Sequence, residues 1–573
     1  MNSELTLSAI FQHSTLRYAT RTALAFVDEQ PFTYADVRRE VEHLSHFLKL
    51  QGVSHGDRVA IISENCPHWG IAYFAITLLG AIVVPILPDF HTSEVHHILR
   101  HSESKVIFVS ERYFQKVEEL DFAKYNAVIL LDSLSVVKPQ TTKASLRQFL
   151  VEGSKEIQKI RSMVLELTGK IKTEIHEDDI ASIIYTSGTT GHSKGVMLTH
   201  KNIVWDAQIA AALPNIIPED RLLSVLPLAH MYECTIGFII PFMCGASVYY
   251  LKKPPTPTVL LPALDKVRPT AMLTVPLVIE KVYKTQIIPE IRKHKITRML
   301  YLLPAIRKKI NRIAGVKLKQ SFGGSLRFFG IGGSALSPAI EQFLIEAEFP
   351  YAIGYGLTET SPLIAGTDAY KTKFQSTGLP LSGVEVRIEN VDSKTGIGEI
   401  VVKGPNVMKG YHHDPERTAE ALSDDGWFHT GDSGYLDDDG YLYIAGRIKN
   451  VIVGANGENI YPEAIESVLN RSDYVVESLV YEENSQLVAK VHLDYEKLES
   501  EIISPNLNDS QMAQHIESML ASLLGEVNQQ VSSFSRIARI YEQREPFEKT
   551  PTQKIKRYLY VNSLSNSKNR RNL

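Results

Sequence analysis

Cysteine is scarce in this sequence: three in 573 residues, Cys66, Cys234 and Cys244, unevenly spaced and set among apolar neighbours. A disulfide-stapled fold is thereby excluded, and the chain is long enough to bury several cores without one. The pattern fits buried thiols in a reducing compartment better than a nucleophile or a metal ligand. Excess positive charge is also lacking. Lys plus Arg number 61 against 65 Asp plus Glu, a formal charge of −4, which argues against a dedicated nucleic-acid binder. The opening MNSELTLSAIF has no basic residue before its short apolar run, so it makes a poor secretory signal. Unbroken membrane-length runs are missing too. Residues 69–88 and 234–251 contain no charge, but Gly80 and Pro85 break the first and Pro241 and Gly245 the second. A spanning helix needs roughly 20 apolar residues, so each run reads as a buried helix leading into a buried strand. The expectation is a cytoplasmic chain, with peripheral contact to a membrane surface and a homodimer both left open.

What remains is ordinary globular composition, 44% hydrophobic and 22% charged, with a prior of about four domain-sized units. Helical and strand patterns alternate, which predicts α/β architecture with largely parallel sheets. Thr33 and Asp36 read as a helix cap, Val37, Val41, Leu44 and Leu48 as its apolar stripe, and Gly52 as its stop. From about Ser376 the texture changes to short strands and tight turns. Asp437, Asp438 and Asp439 before Gly440 miss calcium-loop spacing and read as a hairpin turn. A boundary near Lys449 divides the chain into 1–448, parallel-sheet α/β subdomains plus a β-rich one, and 449–573, a small mobile α+β domain. From Arg544 onward eight basic residues stand against two acidic ones, and the end, near 563–573, has the composition of a disordered basic tail.

Four clusters carry chemistry. In YTSGTTGHSKG, Thr186, Ser187, Gly188, Thr189, Thr190 and Gly191 follow a strand-like run. Backbone N–H groups and hydroxyls of such a loop close around phosphate oxygens, and Lys194 adds a cation. The spacing is not that of a Walker A loop. Gly330, Gly332 and Ala335 match a dinucleotide fingerprint, but no acidic residue stands at the expected distance, so a nicotinamide enzyme is disfavoured. The run Gly354, Tyr355, Gly356, Leu357, Thr358, Glu359 puts a ring, a hydroxyl and a carboxylate in one short loop, suited to a base and to Mg²⁺. His230 follows an apolar run in LPLAHMYE.

Together these segments resemble the adenylate-forming, AMP-binding superfamily, over nearly the whole chain and in the expected order. The subgroup they resemble most is the long-chain fatty acyl-CoA synthetases. The resemblance implies ATP, Mg²⁺ and coenzyme A as cofactors or co-substrates, and a fatty acid as substrate. It implies ATP binding by residues 186–191, Lys194, Gly333, Ser334, Ala335, Gly354, Tyr355, Gly356, Leu357 and Thr358, with Asp432 (in GWFHTGD) and Arg447 on the ribose. Thr186 and Glu359 would hold the metal. Lys554, His230 and Thr358 would act in catalysis, Lys449 would be the hinge, and Gly457 with Glu458 would meet coenzyme A. Ser193 and Gln553 stand where the family usually has proline and glycine, each flanking a functional lysine. Rival readings are transfer to a carrier protein, arrest at the adenylate, and a silent nucleotide-binding regulator. Lys554 and Glu359 argue against the last.

Overall fold

The structure is a computed structural model that describes residues 4–137, 174–186, 193–453, 458–501, 509–550 and 554–561, without the side chains of 499–501 and 509–510. Two mostly parallel sheets dominate it. In one, strands Ile180–Thr186, Ile82–Ile86, Arg58–Ile62, Val106–Val109 and Ala127–Leu130 run parallel, and Lys194–Thr199 joins antiparallel beside Ile180–Thr186. In the other, Thr22–Phe26, Ser247–Tyr250, Arg221–Ser224, Ala271–Thr274, Phe328–Ile331 and Tyr351–Gly356 run parallel, before antiparallel Leu363–Gly366. Their strands are continuous apolar runs because helices cover both faces.

Helices from both sheets meet in one aromatic core. Phe74, on helix Pro67–Thr77, lies 5.1 Å from Phe11 and 4.7 Å from Phe242, ring centre to ring centre. Gly70 permits this approach, since a Cβ there would sit 2.8 Å from the Phe238 ring. The two charge-free runs are thus core. The first is a buried helix followed by strand Ile82–Ile86, as its composition predicts. The second differs in kind: Tyr232–Ile239 is a π-helix, which continues as α-helix Ile240–Cys244 into strand Ser247–Tyr250. No helix among the described residues is long and apolar enough to cross a membrane. Burial raises the Cys66 and Cys234 thiols to about 12, and the half-buried Cys244 to about 11.

Local signals hold where they are chemically specific. Helix Tyr34–Leu50 begins with a reciprocal Thr33–Asp36 capping box, and Gly52 follows its end at φ +77°. The aspartate triplet turns strand Phe428–Leu436 back into Leu442–Arg447, with Gly440 at φ +81° and Lys373 paired to Asp437 and Asp439. These strands belong to a four-stranded antiparallel sheet, the β-rich part. One reading needs correction. Gly354, Tyr355 and Gly356 end strand Tyr351–Gly356 rather than forming a loop, because the segment pairs with Leu363–Gly366; only Thr358–Thr360 turns, as a 3₁₀ helix.

Past the short 3₁₀ turn Ile448–Asn450, strands Val475–Glu483, Gln486–Leu493 and Arg539–Glu542 make a separate three-stranded sheet. It has its own apolar core, including Ile465, Leu469, Leu520 and Val527. Helix Asp509–Gln530 supplies Leu520 and Val527 to that core. The basic end from 562 onward lies outside the described residues.

Candidate active site

The site forms where the ends of the two parallel sheets meet the β-rich sheet. Thr186 closes strand Ile180–Thr186 and is in register with Lys194 on the neighbouring strand. Lys194 Nζ donates to Glu359 Oε1 at 2.7 Å and to the Tyr411 hydroxyl at 2.6 Å, which in turn donates to Glu359 at 3.0 Å. Burial would raise the Glu359 carboxyl, but the charge and hydrogen bond of Lys194, with Tyr411, outweigh it and hold the group below its usual range. The Thr186 hydroxyl is buried and has no hydrogen-bond partner among the described residues.

A second carboxylate, Asp432, sits on strand Phe428–Leu436. Arg447 Nε pairs with its Oδ1 at 2.7 Å, and the Tyr355 hydroxyl donates to its Oδ2 at 2.8 Å. The Arg447 pair is built by the hairpin, which sets residues 432 and 447 opposite one another. Burial pushes the Asp432 carboxyl up, against the pull of Arg447 and Tyr355.

Lys554 reaches this cleft from the small sheet's side of the molecule. Its side chain remains open to solvent, yet the surrounding walls and Arg447 lower its ammonium pKa, while Asp432 and Glu359 work the other way. Lys449 behaves similarly: burial first, then Arg447, Lys194 and Lys554, brings it down to about 8. His230 is lowered to about 4 by burial and by Lys554, so it is neutral at pH 7. Its Nδ1 accepts the Tyr232 N–H at 3.3 Å, which leaves the ring proton on Nε2. Four cations therefore share a cleft with two carboxylates, and both carboxylates are already engaged.

An open apolar pocket adjoins these elements, walled by Ile236, Leu273, Phe328 and Leu363, with Gly330, Gly354 and Gly366 supplying space. Tyr232 connects pocket and cleft. It lines the pocket, follows His230 by two residues, and its ring would meet a Cβ on Gly332 at 3.2 Å.

The structure thus brings together Thr186, Lys194, His230, Tyr355, Glu359, Asp432, Arg447, Lys449 and Lys554. Gly333, Ser334 and Ala335 are exposed beyond the end of strand Phe328–Ile331. Gly356 faces the Pro362 carbonyl so closely that no Cβ would fit. Leu357 N–H bonds the Thr360 hydroxyl at 3.0 Å, and Thr358 begins the 3₁₀ turn with a half-buried side chain. Glu458 is half-buried and has no hydrogen bond or ion pair with the cleft residues. Ser187, Gly188, Thr189, Thr190, Gly191 and Gly457 lie outside the described residues. Sequence reasoning missed Tyr411, whose only signal is an aromatic residue after Gly410 between two motifs.

The family described as AMP-binding enzyme matches residues 11–412. A long-chain-fatty-acid–CoA ligase of Bacillus subtilis is 31% identical over 498 residues, 83% of this chain and 82% of that protein. The long-chain-fatty-acid–CoA ligase FadD15 of Mycobacterium bovis is 30% identical over 559 residues, 92% and 89% of the two chains. Among solved structures, ATP-bound MatB from Rhodopseudomonas palustris superposes with a TM-score of 0.73 at 22% identity, over 96% of this chain and 97% of that one. MenE from Bacillus subtilis, in complex with ATP and magnesium ion, gives 0.72 at 23%, over 96% and 98%.

Proposed function

We infer the reaction from one premise: this chain belongs to the AMP-binding enzyme family, among the adenylate-forming acyl-CoA ligases. We propose that it activates a fatty acid of medium to long chain with ATP, releases pyrophosphate, and passes the acyl group to coenzyme A. The observation that carries the reading is the cleft itself: Lys194, Arg447, Lys449 and Lys554 around two engaged carboxylates, beside an apolar pocket. An excess of fixed cations suits a polyphosphate, and the pocket suits an alkyl chain. The names of the fatty-acid ligases it resembles support the acyl class.

The chemistry follows from charge. A fatty-acid carboxylate oxygen attacks the α-phosphorus of ATP; the bond to the β-phosphate oxygen breaks and pyrophosphate leaves. Negative charge grows on the α-phosphoryl oxygens, where Lys554 neutralises it and holds the incoming carboxylate. Neutral His230 offers an N–H from Nε2 without adding a charge. Asp432, fixed by Arg447 and Tyr355, accepts from the ribose hydroxyls. The buried Thr186 hydroxyl, unpartnered among the described residues, and the Glu359 carboxylate are hard oxygen donors that fit Mg²⁺. When bound there, Mg²⁺ would screen the charge of the phosphates. The thiolate of coenzyme A then attacks the acyl carbon and AMP leaves. For that step the small domain turns about Lys449, withdrawing Lys554 and bringing in the Gly457–Glu458 loop.

ATP–pyrophosphate exchange across a panel of carboxylic acids, with and without coenzyme A, tests the proposal. Fatty acids are expected to give the highest specificity constant, with AMP and pyrophosphate as products. Acetate or an amino acid at the top would overturn the substrate class, and ADP as the main product would overturn the mechanism.

A further inference from the structure

Between strands Ala271–Thr274 and Phe328–Ile331, two neighbours in one sheet, the chain makes a long helical crossover. Residues 292–320 of that crossover hold ten Lys and Arg and no Asp or Glu, in a chain whose formal charge is −4. Four of the ten pair with acids outside the segment: Arg292 with Asp473, Lys293 with Glu290 at 4.0 Å, Arg307 with Glu346 at 2.7 Å and Arg312 with Glu348 at 2.5 Å. Lys295, Arg298, Lys308, Lys309, Lys317 and Lys319 have no ion-pair partner among the described residues. Large apolar side chains stand out between them: Leu302 is 77% exposed, Ile296 71%, Met299 66%, Ile313 62% and Val316 60%.

The exposure follows from how helix Pro304–Ser321 is anchored. Its inner face carries Asn311, Gly315 and Leu318. Asn311 Nδ2 donates to Glu346 Oε2 at 2.7 Å, and Gly315 abuts the backbone at Ala347, where no Cβ would fit. That contact fixes the rotation of the helix, so Ile313 and Val316 face outward with Lys308, Lys309 and Lys317 around them. An apolar strip flanked by unpaired cations, lying on a surface, is the pattern of an interfacial helix.

We propose that this crossover, residues 292–320, docks the protein on the surface of an anionic lipid bilayer. The cations meet the lipid phosphates, while Leu302, Ile313 and Val316 enter the headgroup boundary. Charge selects this occupant. A second copy packed face to face would set the same cations against each other, and a nucleic acid offers nothing to the apolar side chains. The two strands that the crossover joins supply Leu273 and Phe328 to the apolar pocket, so docking would hold the pocket's own sheet near the bilayer. The inference rests on the surface alone and stands whatever acid the enzyme activates.

Co-sedimentation of the full chain with vesicles tests it. Vesicles of phosphatidylcholine with added phosphatidylglycerol are expected to bind the protein at about 0.1 M salt, and to release it at about 1 M, where charges are screened within ~3 Å. Pure phosphatidylcholine vesicles are expected to bind at least tenfold more weakly. At about fivefold per cation, the triple variant Lys308→Gln, Lys309→Gln, Lys317→Gln is expected to lose about a hundredfold in partitioning. Leu302→Ser with Ile313→Ser and Val316→Ser is expected to lose binding as well, without the salt dependence of the remainder changing. All six positions are exposed, so circular dichroism and pyrophosphate exchange with a water-soluble acid are expected to match the parent. Absence of binding to anionic vesicles would overturn the proposal. So would unchanged binding by both triple variants, loss of binding only in a chain ended at Val561, or self-association through Leu302 without vesicle binding.

Discussion

At the scale of residues, the site is governed by how few counter-charges it offers its cations. Lys449 is brought down to about 8, first by burial and then by Arg447, Lys194 and Lys554. Below that pH it is charged; above it, the free enzyme has lost the proton. A bound polyphosphate restores the charge, so nucleotide binding draws a proton from solvent. Calorimetry of ATP binding at about pH 8.5, in buffers of differing ionisation enthalpy, is expected to show uptake of a sizeable fraction of a proton. Lys449→Met is expected to diminish that uptake, and equal uptake in parent and variant would assign the proton elsewhere. Thr186, Lys194 and Glu359 were legible in the sequence because their spacing is tied to chemistry, a hydroxyl-rich loop with a lysine and a carboxylate in a glycine-rich segment. Asp432, Arg447, Lys449 and Lys554 were legible only through the family resemblance. Tyr411 was not. Its hydroxyl matters only because residue 411 is folded against residues 194 and 359, and local spacing holds no trace of that meeting.

Elements were legible where a local rule decides them. The Thr33–Asp36 cap, the Asp437–Gly440 turn and the helix-then-strand reading of the charge-free runs depend on neighbours a few positions apart. The π-helix Tyr232–Ile239 was not legible, because a period of buried apolar residues does not separate α from π. Inside it, Glu233 is buried: its Oε1 accepts from Ser224 at 2.5 Å, its Oε2 has no partner among the described residues, and Gly237 leaves the room it occupies. Burial raises this carboxyl to about 8, with Ser224 opposing. The folded state therefore keeps the proton while an unfolded chain releases it above about pH 4.5. The stability linked to this group is complete below the unfolded value and is lost as pH rises through 8. Glu233→Gln keeps the shape and removes the titration. Its stability relative to the parent is expected to improve by on the order of 2 kcal/mol between pH 6 and pH 8, read from urea unfolding. A constant difference across that range would show that Glu233 is not protonated in the fold.

At the scale of the whole molecule, two large sheets, a β-rich sheet and a small sheet converge on one cleft, and only the last must move in the proposed cycle. The polar contacts of the small domain with the rest include Asn459 with Asp392 at 3.1 Å, Lys284 with the carbonyls of Asn470 and Val475 at 3.2 and 3.3 Å, and the ion pair of Arg292 with Asp473. Such contacts, polar and only partly buried, are consistent with a unit that can separate and dock again. The order of motifs made the overall architecture readable, since alternating elements leave few ways to build parallel sheets. The placing of Lys554 near enough to Asp432 and Glu359 to feel their charge joins distant segments, and it had to be seen.

The most direct measurement of the central claim is stopped-flow kinetics of the two half-reactions in two variants. Lys554→Ala removes a cation from the adenylation site. A loss of roughly 3–4 kcal/mol of transition-state stabilisation would slow adenylate formation by about 10²–10³-fold. Thioester formation from a supplied acyl adenylate is expected to stay within about twofold of the parent. Lys449→Pro, read against Lys449→Met so that the lost cation cancels, is expected to do the reverse, because proline fixes φ near about −65° and restricts the residue before it. Adenylate would still form, while transfer to coenzyme A would fall. Equal damage to both steps in both variants would mean that one static cleft performs all the chemistry, and the account of a domain presenting Lys554 for the first step alone would be contradicted.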